Sequence, residues 1–500
     1  MKKMTKRIEN IRAAIDARAH DRRHYLEDAR SQRKVTYAQL AEASHEWEAL
    51  FVRLDVQLGM ALVVDVTDTL AFSVVELSAL AYGLRVIPVD PHAPWSDVAH
   101  MSELIQGAAL IVSTRRDRGI VPGAMIISLN VNTFRPSEVP KEAIRTGTRS
   151  TATGSASIIM FTSGSTGTPK GVELPEAQLL YVATHIARHN KLTEADRGYN
   201  SLPLFHINAQ VVGILATLIA GSTLVLDERF HRTGFWELLD DRRITWMNGA
   251  PAILSILARS GEQKIPSTLR FIRSASAPLP DIIRDAFKGV ELLVSYGMTE
   301  GASQITATPL GAPARPGSVG LPVGNALEVR DDSGAPLPVG EVGMVWIRGK
   351  GVITQYLHGR AAERFDADGW LQTGDLGRVD GDGYVYLMGR SDDLIIRGGE
   401  NLYPAEIENV LLEDDAVREA VVAARDDEVL GQVPVAYVIP VDAELTDAQK
   451  NELIATLQEL CDAKLTKYKR PAEINVVDDL PRAATGKFQR VKIREKARET

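Results

Sequence analysis

Apolar positions change their period several times along the 500 residues, and each change predicts a different element. Ile8, Ile11 and Ile15 share one helical face, and Tyr37 to Leu54 continues in that style behind Thr36, a hydroxyl suited to capping a helix. Residues 1 to about 55 therefore read as helices. Ala61–Val66 (ALVVDV) reads as a strand, Leu70–Tyr82 as a helix and Leu84–Val89 as the next strand. Leu110–Ser113 and Ala124–Leu129 repeat the pattern. Such alternation predicts a parallel α/β layer. A second α/β run occupies Leu179 to Val294. Its most apolar window, Val211–Leu226, is broken by Gly213, Gly221, Ser222 and Thr223. That is too short and interrupted to span a bilayer, and it predicts a buried helix running into a buried strand. Arg315 to Arg348 has short strands with Gly and Pro turns, the style of a small β-barrel or sheet. From Gly389 the pattern changes again, to helices and alternating strands up to Thr500.

The expected fold is therefore α/β. A large N-terminal domain, 1–391, holds two α/β sheet subdomains and the small β-barrel, and a smaller α+β domain occupies 392–500, with the boundary near Ser391–Asp392. Composition narrows this only slightly. An apolar fraction of 45% with 24% charged residues suits a soluble globular protein of two to four folding units. A net charge of −8 argues against a general nucleic-acid binder. Cys461 is the one cysteine, so a disulfide framework is not expected and a reducing, cytoplasmic setting is. The basic N-terminus has no apolar segment after it, unlike a signal peptide.

The chemistry concentrates first in Ser157 to Val172. Ile158–Phe161 has the character of a buried strand. Residues 162–171 then hold three glycines, five hydroxyl side chains and Lys170. Glycines let backbone N–H groups approach a ligand, hydroxyls add neutral donors, and the lysine adds a point charge, so the set Thr162, Ser163, Gly164, Ser165, Thr166, Gly167 and Lys170 suits a polyphosphate. It is not a Walker A loop, because Pro169 and Gly171 flank the lysine. The Ser/Thr/Gly/Ala-rich stretch 146–157 ahead of it is expected to be exposed.

Five further stretches stand out. Pro203–Asn208 carries His206, and a lone histidine is more often structural than a ligand. Arg273 to Pro278 is a small-residue turn after a strand; such residues let a flat ring lie on the backbone or simply pack closely. Ser295–Gly301 sets an aromatic, a hydroxyl and a carboxylate at the carboxyl end of a strand, where α/β sheets place ligands. Gln372–Leu376 contains Asp375, and Arg390 follows; an acid and a base could hold two ribose hydroxyls or form a surface ion pair. Pro481–Lys487 ends in a glycine-flanked lysine.

Each stretch is weak alone, but their order is specific. TSGSTGTPKG, PLFH, YGMTE, TGDLG, GRSDDLIIRGGENLYPAEIE and PRAATGK, spaced over residues 162 to 487, resemble the acyl-adenylate-forming superfamily of acyl-CoA synthetases, adenylation domains and firefly-type luciferases. The resemblance covers nearly the whole chain and is closest to a stand-alone acyl-CoA synthetase. It implies that ATP and a carboxylic acid give an acyl-adenylate and pyrophosphate, and that CoA then displaces AMP. By match, Thr162 to Lys170 would hold the β- and γ-phosphates, Thr299 the α-phosphate, and Glu300 a Mg²⁺ ion. Tyr296, within Ser295-Tyr296-Gly297-Met298, would stack on adenine, with Ala275, Ser276 and Ala277 on its other face. Asp375 and Arg390 would hold the ribose. Lys487 would bridge the carboxylate and α-phosphate, removing the repulsion between two anions. Asp392 would be the hinge about which the mobile C-terminal domain turns, exchanging Lys487 for Gly398, Gly399 and Glu400 on the CoA path. His206 would guard the acid, with Ile207, Asn208, Ala209, Ala275, Gly301, Ser303 and Gln304 around it, a mixed set that does not announce a long acyl chain. Arg273 could pair with a second carboxylate. From Lys464 to Arg498 eleven Lys/Arg face four Asp/Glu, a basic face that meets CoA phosphates or only solvent. Two rivals stand beside this expectation: loading of a carrier-protein phosphopantetheine, and a nucleotide-binding protein without turnover. A monomer or homodimer is expected, and a lysine acetyltransferase and deacetylase acting on Lys487 are candidate partners.

Overall fold

A computed structural model describes residues 8–104, 110–115, 124–138, 156–162, 170–261, 264–275, 281–313, 315–482 and 488–499. Two mixed sheets carry the N-terminal part. The first has seven strands, in the order Arg135–Glu138, Met125–Asn130, Leu110–Ser113, Ala61–Asp65, Arg85–Pro88, Ser157–Thr162 and Lys170–Pro175. Its centre is parallel and its two edge pairings are antiparallel. The second has nine, running Leu321–Pro322, Thr306–Ala307, Glu291–Tyr296, Phe271–Ala275, Trp246–Gly249, Arg197–Asn200, Thr223–Leu226, His24–Asp28 and Lys34–Thr36. Helices Tyr37–Arg53, Thr69–Tyr82 and Glu176–His189, with the segment Ala209–Ala220, share one core with both sheets: Leu62 and Val86 of the first and Leu224 and Trp246 of the second belong to it. Burying such apolar faces between layers is the principal stabilisation of an α/β fold.

The expectation of helices throughout residues 1 to 55 is corrected here. Helices Ile11–Asp16 and Tyr37–Arg53 form, and Thr36 caps the second in a reciprocal capping box with Gln39. Between them His24–Asp28 and Lys34–Thr36 are strands. HYLED is too short and too charged for a period to register. It is a strand because Leu26 pairs parallel with Leu224, a partner far along the chain. The window 211–226 behaves as expected, with a buried helix, opened by a π-type stretch Ala209–Leu215, ending at Gly221 and running into Thr223–Leu226.

The expected small barrel or sheet is a four-stranded antiparallel sheet, Ala326–Arg330, Gly343–Arg348, Leu371–Val379 and Val385–Arg390, reaching further along the chain than Arg348. The C-terminal part has its own sheet, in which the long hairpin Val417–Asp427/Gly431–Pro440 pairs with Ile395–Arg397 and Glu473–Val476. Helices Pro404–Leu411, Asp447–Lys464 and Arg490–Glu499 pack on it, and Cys461, on the second, is buried. Among the described residues no helix is long and apolar enough to cross a membrane.

The two parts meet at the turn Ser391–Asp393. Ser391 Oγ donates to Gly374 O, 3.1 Å away in the small antiparallel sheet. Two residues on, the Asp393 carboxylate pairs with Arg494 (3.0 Å) and Arg490 (3.5 Å) of the last helix. Attachment thus changes sides across the exposed Asp392.

Candidate active site

The strand Glu291–Tyr296 ends at the carboxyl edge of the nine-stranded sheet and delivers Tyr296 there. The phenol donates to Asp375 Oδ2, and Arg390 Nη1 reaches the other carboxylate oxygen at 3.2 Å. Asp375 and Arg390 face each other across the small sheet, so this chain of three side chains joins it to the nine-stranded one. Burial raises the Asp375 pKa above its ordinary value, against the opposing charge of Arg390 and the Tyr296 hydrogen bond. Burial also raises the Tyr296 phenol, and the Asp375 carboxylate adds to it. Ala275 pairs with Ser295 on the adjoining strand, and Ser295 Oγ donates to Ser274 O. The sequence-expected residues Ala275, Ser295, Tyr296, Asp375 and Arg390 therefore converge. Ser276 and Ala277 lie outside the described residues.

Past Tyr296 the chain turns sharply. A Cβ on Gly297 would lie 1.3 Å from Ser303 O, so only glycine fits. Thr299–Gly301 is one 3₁₀ turn, after which Ala302 and Ser303 take φ of 49° and 90°. Non-glycine residues pay for that left-handed backbone, and such strain clusters where a chain must be aimed. Here it buries Glu300 and Gln304 on the two arms of the turn. Glu300 Oε1 accepts from Tyr356 Oη (2.8 Å) and Arg364 Nη1 (3.4 Å), and Gln178 Nε2 donates to the Glu300 carbonyl. Tyr356 also lies under Lys170, whose Nζ is 5.9 Å from the ring centroid. Thr162 pairs with Lys170 at the mouth of a hairpin whose connecting residues 163–169 (Ser163, Gly164, Ser165, Thr166 and Gly167 among them) lie outside the described residues. Met298 packs on the main core and Thr299 is half-buried beside Glu300.

Mg²⁺ prefers oxygen ligands, keeps several waters and shares substrate phosphates, so one or two protein carboxylates suffice. Glu300 fits that need as a buried carboxylate within the Lys170 end of the site. Among the described residues no group of three or more His, Cys, Asp or Glu gathers as a metal site by itself.

A second polar cluster occupies the same sheet edge. Asn200, Asn248 and Arg273 stand in register on three neighbouring parallel strands. Asn248 Nδ2 donates to Asn200 Oδ1 (3.0 Å) and Asn208 Oδ1 (2.8 Å), while Asn248 Oδ1 accepts from Arg273 Nη1 (3.0 Å). Arg273 Nε donates to Gln304 Oε1 (3.3 Å). Arg273 and Gln304 are each 1% exposed. Burial pulls the Arg273 pKa down to about 9. His206 precedes Asn208 by two residues, its ring 4.5 Å from that of Phe205, and Ile207 and Ala209 are buried on either side of Asn208. Gly301 packs against Ile305.

The structure does not join every expected residue to this site. Gly398 and Gly399, at φ 60° and 88°, make the tight turn between Ile395–Arg397 and Glu400–Leu402. Glu400 is exposed there, and among the described residues no hydrogen bond links the turn to the Tyr296 cluster. Lys487 lies outside the described residues. Conversely, Gln178, Tyr356 and Arg364 carry no motif and were not legible; only contacts formed by folding bring them to Glu300. Asn200 and Asn248, in the short strands RGYN and WMNG, carried no motif either.

Comparison with known proteins shows the family. The sequence profile of the AMP-binding enzymes matches residues 12–357, and that of the AMP-binding enzyme C-terminal domain matches 406–487. The sulfoacetate–CoA ligase of Cupriavidus necator is 40% identical over 342 residues, 67% of this chain and 66% of that protein. The 2-succinylbenzoate–CoA ligase of Bacillus pumilus is 39% identical over 344 residues, 68% of each chain. The oxalate–CoA ligase of Arabidopsis thaliana is 36% identical over 346 residues, 67% of this chain and 66% of that one. Among solved structures, O-succinylbenzoate coenzyme A synthetase from Bacillus subtilis, in complex with ATP and magnesium ion, superposes with a TM-score of 0.82 at 28% identity, covering 96% of this chain and 98% of that one. ATP-bound MatB from Rhodopseudomonas palustris gives 0.85 at 26%, covering 97% and 98%. The two family profiles, matched in order, and the CoA ligases among the relatives place the chain among the AMP-binding enzymes, as an AMP-forming acid–CoA ligase.

Proposed function

We propose that the chain activates a short polar acid, with the catalytic parts divided between residues 1–391 and a domain, 392–500, that turns about Asp392. The observation that carries this reading is the Tyr296–Asp375–Arg390 chain at the carboxyl edge of the sheet. Tyr296 offers a buried aromatic face to adenine, and Asp375 and Arg390 offer an acceptor and a donor to the ribose hydroxyls. Lys170, with residues 162–169, neutralises the β- and γ-phosphates, and Thr299 donates to the α-phosphate. Glu300 would hold a Mg²⁺ ion, which would supply charge neutralisation at the phosphates. In the first step a carboxylate oxygen of the acid attacks the α-phosphorus. The bond to the β-phosphate oxygen breaks and pyrophosphate leaves. Lys487 bridges the two anions and favours the step by stabilising the charge that develops there. In the second, the CoA thiol attacks the acyl carbon, the mixed-anhydride C–O bond breaks, and AMP leaves carrying both bonding electrons. Lys487 has by then withdrawn, and the turn Gly398–Gly399–Glu400 lines the thiol's approach.

Asn208, Gln304 and His206 bound the acid with polar surface, and the relatives named for sulfoacetate, 2-succinylbenzoate and oxalate support a polar acid over a long acyl chain. Pyrophosphate exchange over short, aromatic, dicarboxylic and fatty acids tests the reading, with product mass after addition of CoA. Exchange dependent on one class of short polar acid, and a product heavier than CoA by the acyl group, is the expected result. Exchange with CoA unreactive, but a carrier-protein pantetheine acylated, would replace CoA as the acceptor.

A further inference from the structure

The Arg273 cluster is polar beyond what an ordinary acyl pocket needs. A guanidinium taken fully out of water is costly unless a counter-charge accompanies it. Among the described residues no carboxylate pairs with Arg273. Its Nε and Nη1 are held by neutral amide oxygens, Gln304 Oε1 and Asn248 Oδ1. That leaves Nη2 buried with no hydrogen-bond partner, and Gln304 Nε2 beside it in the same condition. Both are donors and neither can accept. The His189 ring adds no counter-charge: its Nε2 lies 2.9 Å from Thr308 O, and burial, with the charge of Arg273, lowers its pKa.

The arginine is also fixed in place. Asn248 is itself held by Asn200 and Asn208. Gln304 is aimed by the left-handed backbone at Ala302 and Ser303. Two buried donors, unpaired and held rigid, make a preorganised site for an oxyanion, since charge-assisted hydrogen bonds to a guanidinium are strong and directional. Arg273 lies two residues, about 7 Å, along the same strand from Ala275 at the nucleotide edge. An acid bridging that gap is only a few carbons long.

We infer that Arg273 and Gln304 form an anion subsite at the closed end of the acid pocket, so that the acid carries a second anionic oxygen group, carboxylate or sulfonate, besides the carboxylate that is adenylated. This rests on the ligase reading above. The second group completes the hydrogen bonds of Nη2 and Gln304 Nε2 and supplies the counter-charge the fold omits. An uncharged tail of equal length leaves both donors unsatisfied. Discrimination of that kind is large, because the site pays for the missing partner.

The test is pyrophosphate exchange by the full-length enzyme with matched acids: dicarboxylates of two to five carbons, their sulfonate counterparts, and monocarboxylates of equal length. The expected result is a kcat/KM for one doubly anionic acid at least about a hundredfold above its neutral-tailed partner. Arg273→Met should erase that ratio while the KM for ATP stays unchanged. Gln304→Glu places a carboxylate beside the guanidinium, so it should also erase the ratio, with a melting temperature no lower than that of the parent. This second variant carries the test where Arg273→Met fails to fold. Relative rates for dicarboxylate and sulfonate identify the group. A preference for neutral-tailed acids, or a ratio unmoved in both variants, overturns the subsite and leaves the ligase reading standing. Absence of exchange with every acid overturns the ligase reading itself, and the subsite with it.

Discussion

At the scale of single residues, what decides a role is whether a buried polar group has a partner. Asp375 has two, Tyr296 and Arg390, and it is the hinge between an aromatic floor and a cation. Asp375→Ala should raise the KM for ATP on the order of tenfold to a hundredfold, the worth of one charged hydrogen bond to a ribose hydroxyl, with little change in saturation by the acid. An unaltered KM in steady-state exchange would remove the ribose role. Glu76 is the opposite case. It is 1% exposed on the helix Thr69–Tyr82, its Oε1 has no hydrogen-bond partner, and burial lifts its pKa well above the ordinary carboxylate value. The folded state thus holds a proton that the unfolded chain releases near its ordinary pKa. Stability from this group is complete below about pH 4.5 and falls as pH rises toward the folded value, by about 1.4 kcal/mol per unit. Glu76→Gln removes the titration, so the variant's advantage in denaturant midpoint should be absent at acid pH and grow at pH 8. An equal difference at both pH values would refute the assignment.

At the scale of elements, the turn after Tyr296 shows what sequence can and cannot supply. Tyr-Gly-Met-Thr-Glu was legible because a short apolar strand ended in a motif of fixed order, and Gly297 has the steric reason given above. The left-handed Ala302 and Ser303 were not legible, because neither residue type announces that conformation. Nor were Tyr356 and Arg364, which sit at short 3₁₀ turns between strands and reach Glu300 only once the chain is folded. His24–Asp28 failed to register for a related reason: its strand character is borrowed from Leu224. Long periodic helices and buried parallel strands were readable since local pattern and tertiary context agree there. The turn's own prediction concerns its carboxylate. Glu300→Gln keeps the hydrogen bonds from Tyr356 and Arg364 but offers a hard cation a neutral amide oxygen. The Mg²⁺ concentration for half-maximal exchange should rise about tenfold, worth ~1.4 kcal/mol. An unchanged magnesium titration with full activity would mean that the carboxylate only anchors Arg364.

At the scale of the whole molecule, the proposed mechanism has two chemical steps share one pocket, and the described contacts fit the proposed turn about Asp392. Ser391 is tied to the small sheet through Gly374, and Asp393 to the last helix through Arg490 and Arg494. Asp392 stands between, exposed, with its carbonyl accepting from Arg494. Further contacts fix the present pose: Arg259, just past the helix Pro251–Ala258, donates to Val417 O at the start of the C-terminal hairpin and to Asp415 O before it, and the helix Pro404–Leu411 lies against the strand Val385–Arg390. A rotation that preserves both sheets turns the backbone at Asp392 and exchanges these few contacts. Proline is tolerated in the first turn of a short helix, and its φ is locked near roughly −65°. Asp392→Pro should therefore fold with the parent's melting temperature, yet hold the domains in one orientation. Measured separately, pyrophosphate exchange and thioester formation from supplied acyl-adenylate should respond unequally, one surviving and the other falling on the order of a hundredfold or more. Lys487→Ala is the companion measurement. It removes a charge that bridges two anions without touching the hinge, so exchange alone should fall, on the order of a thousandfold, while thioester formation persists. Equal losses in both steps for Lys487→Ala would deny it the adenylating role, and full overall turnover by Asp392→Pro would place the hinge elsewhere.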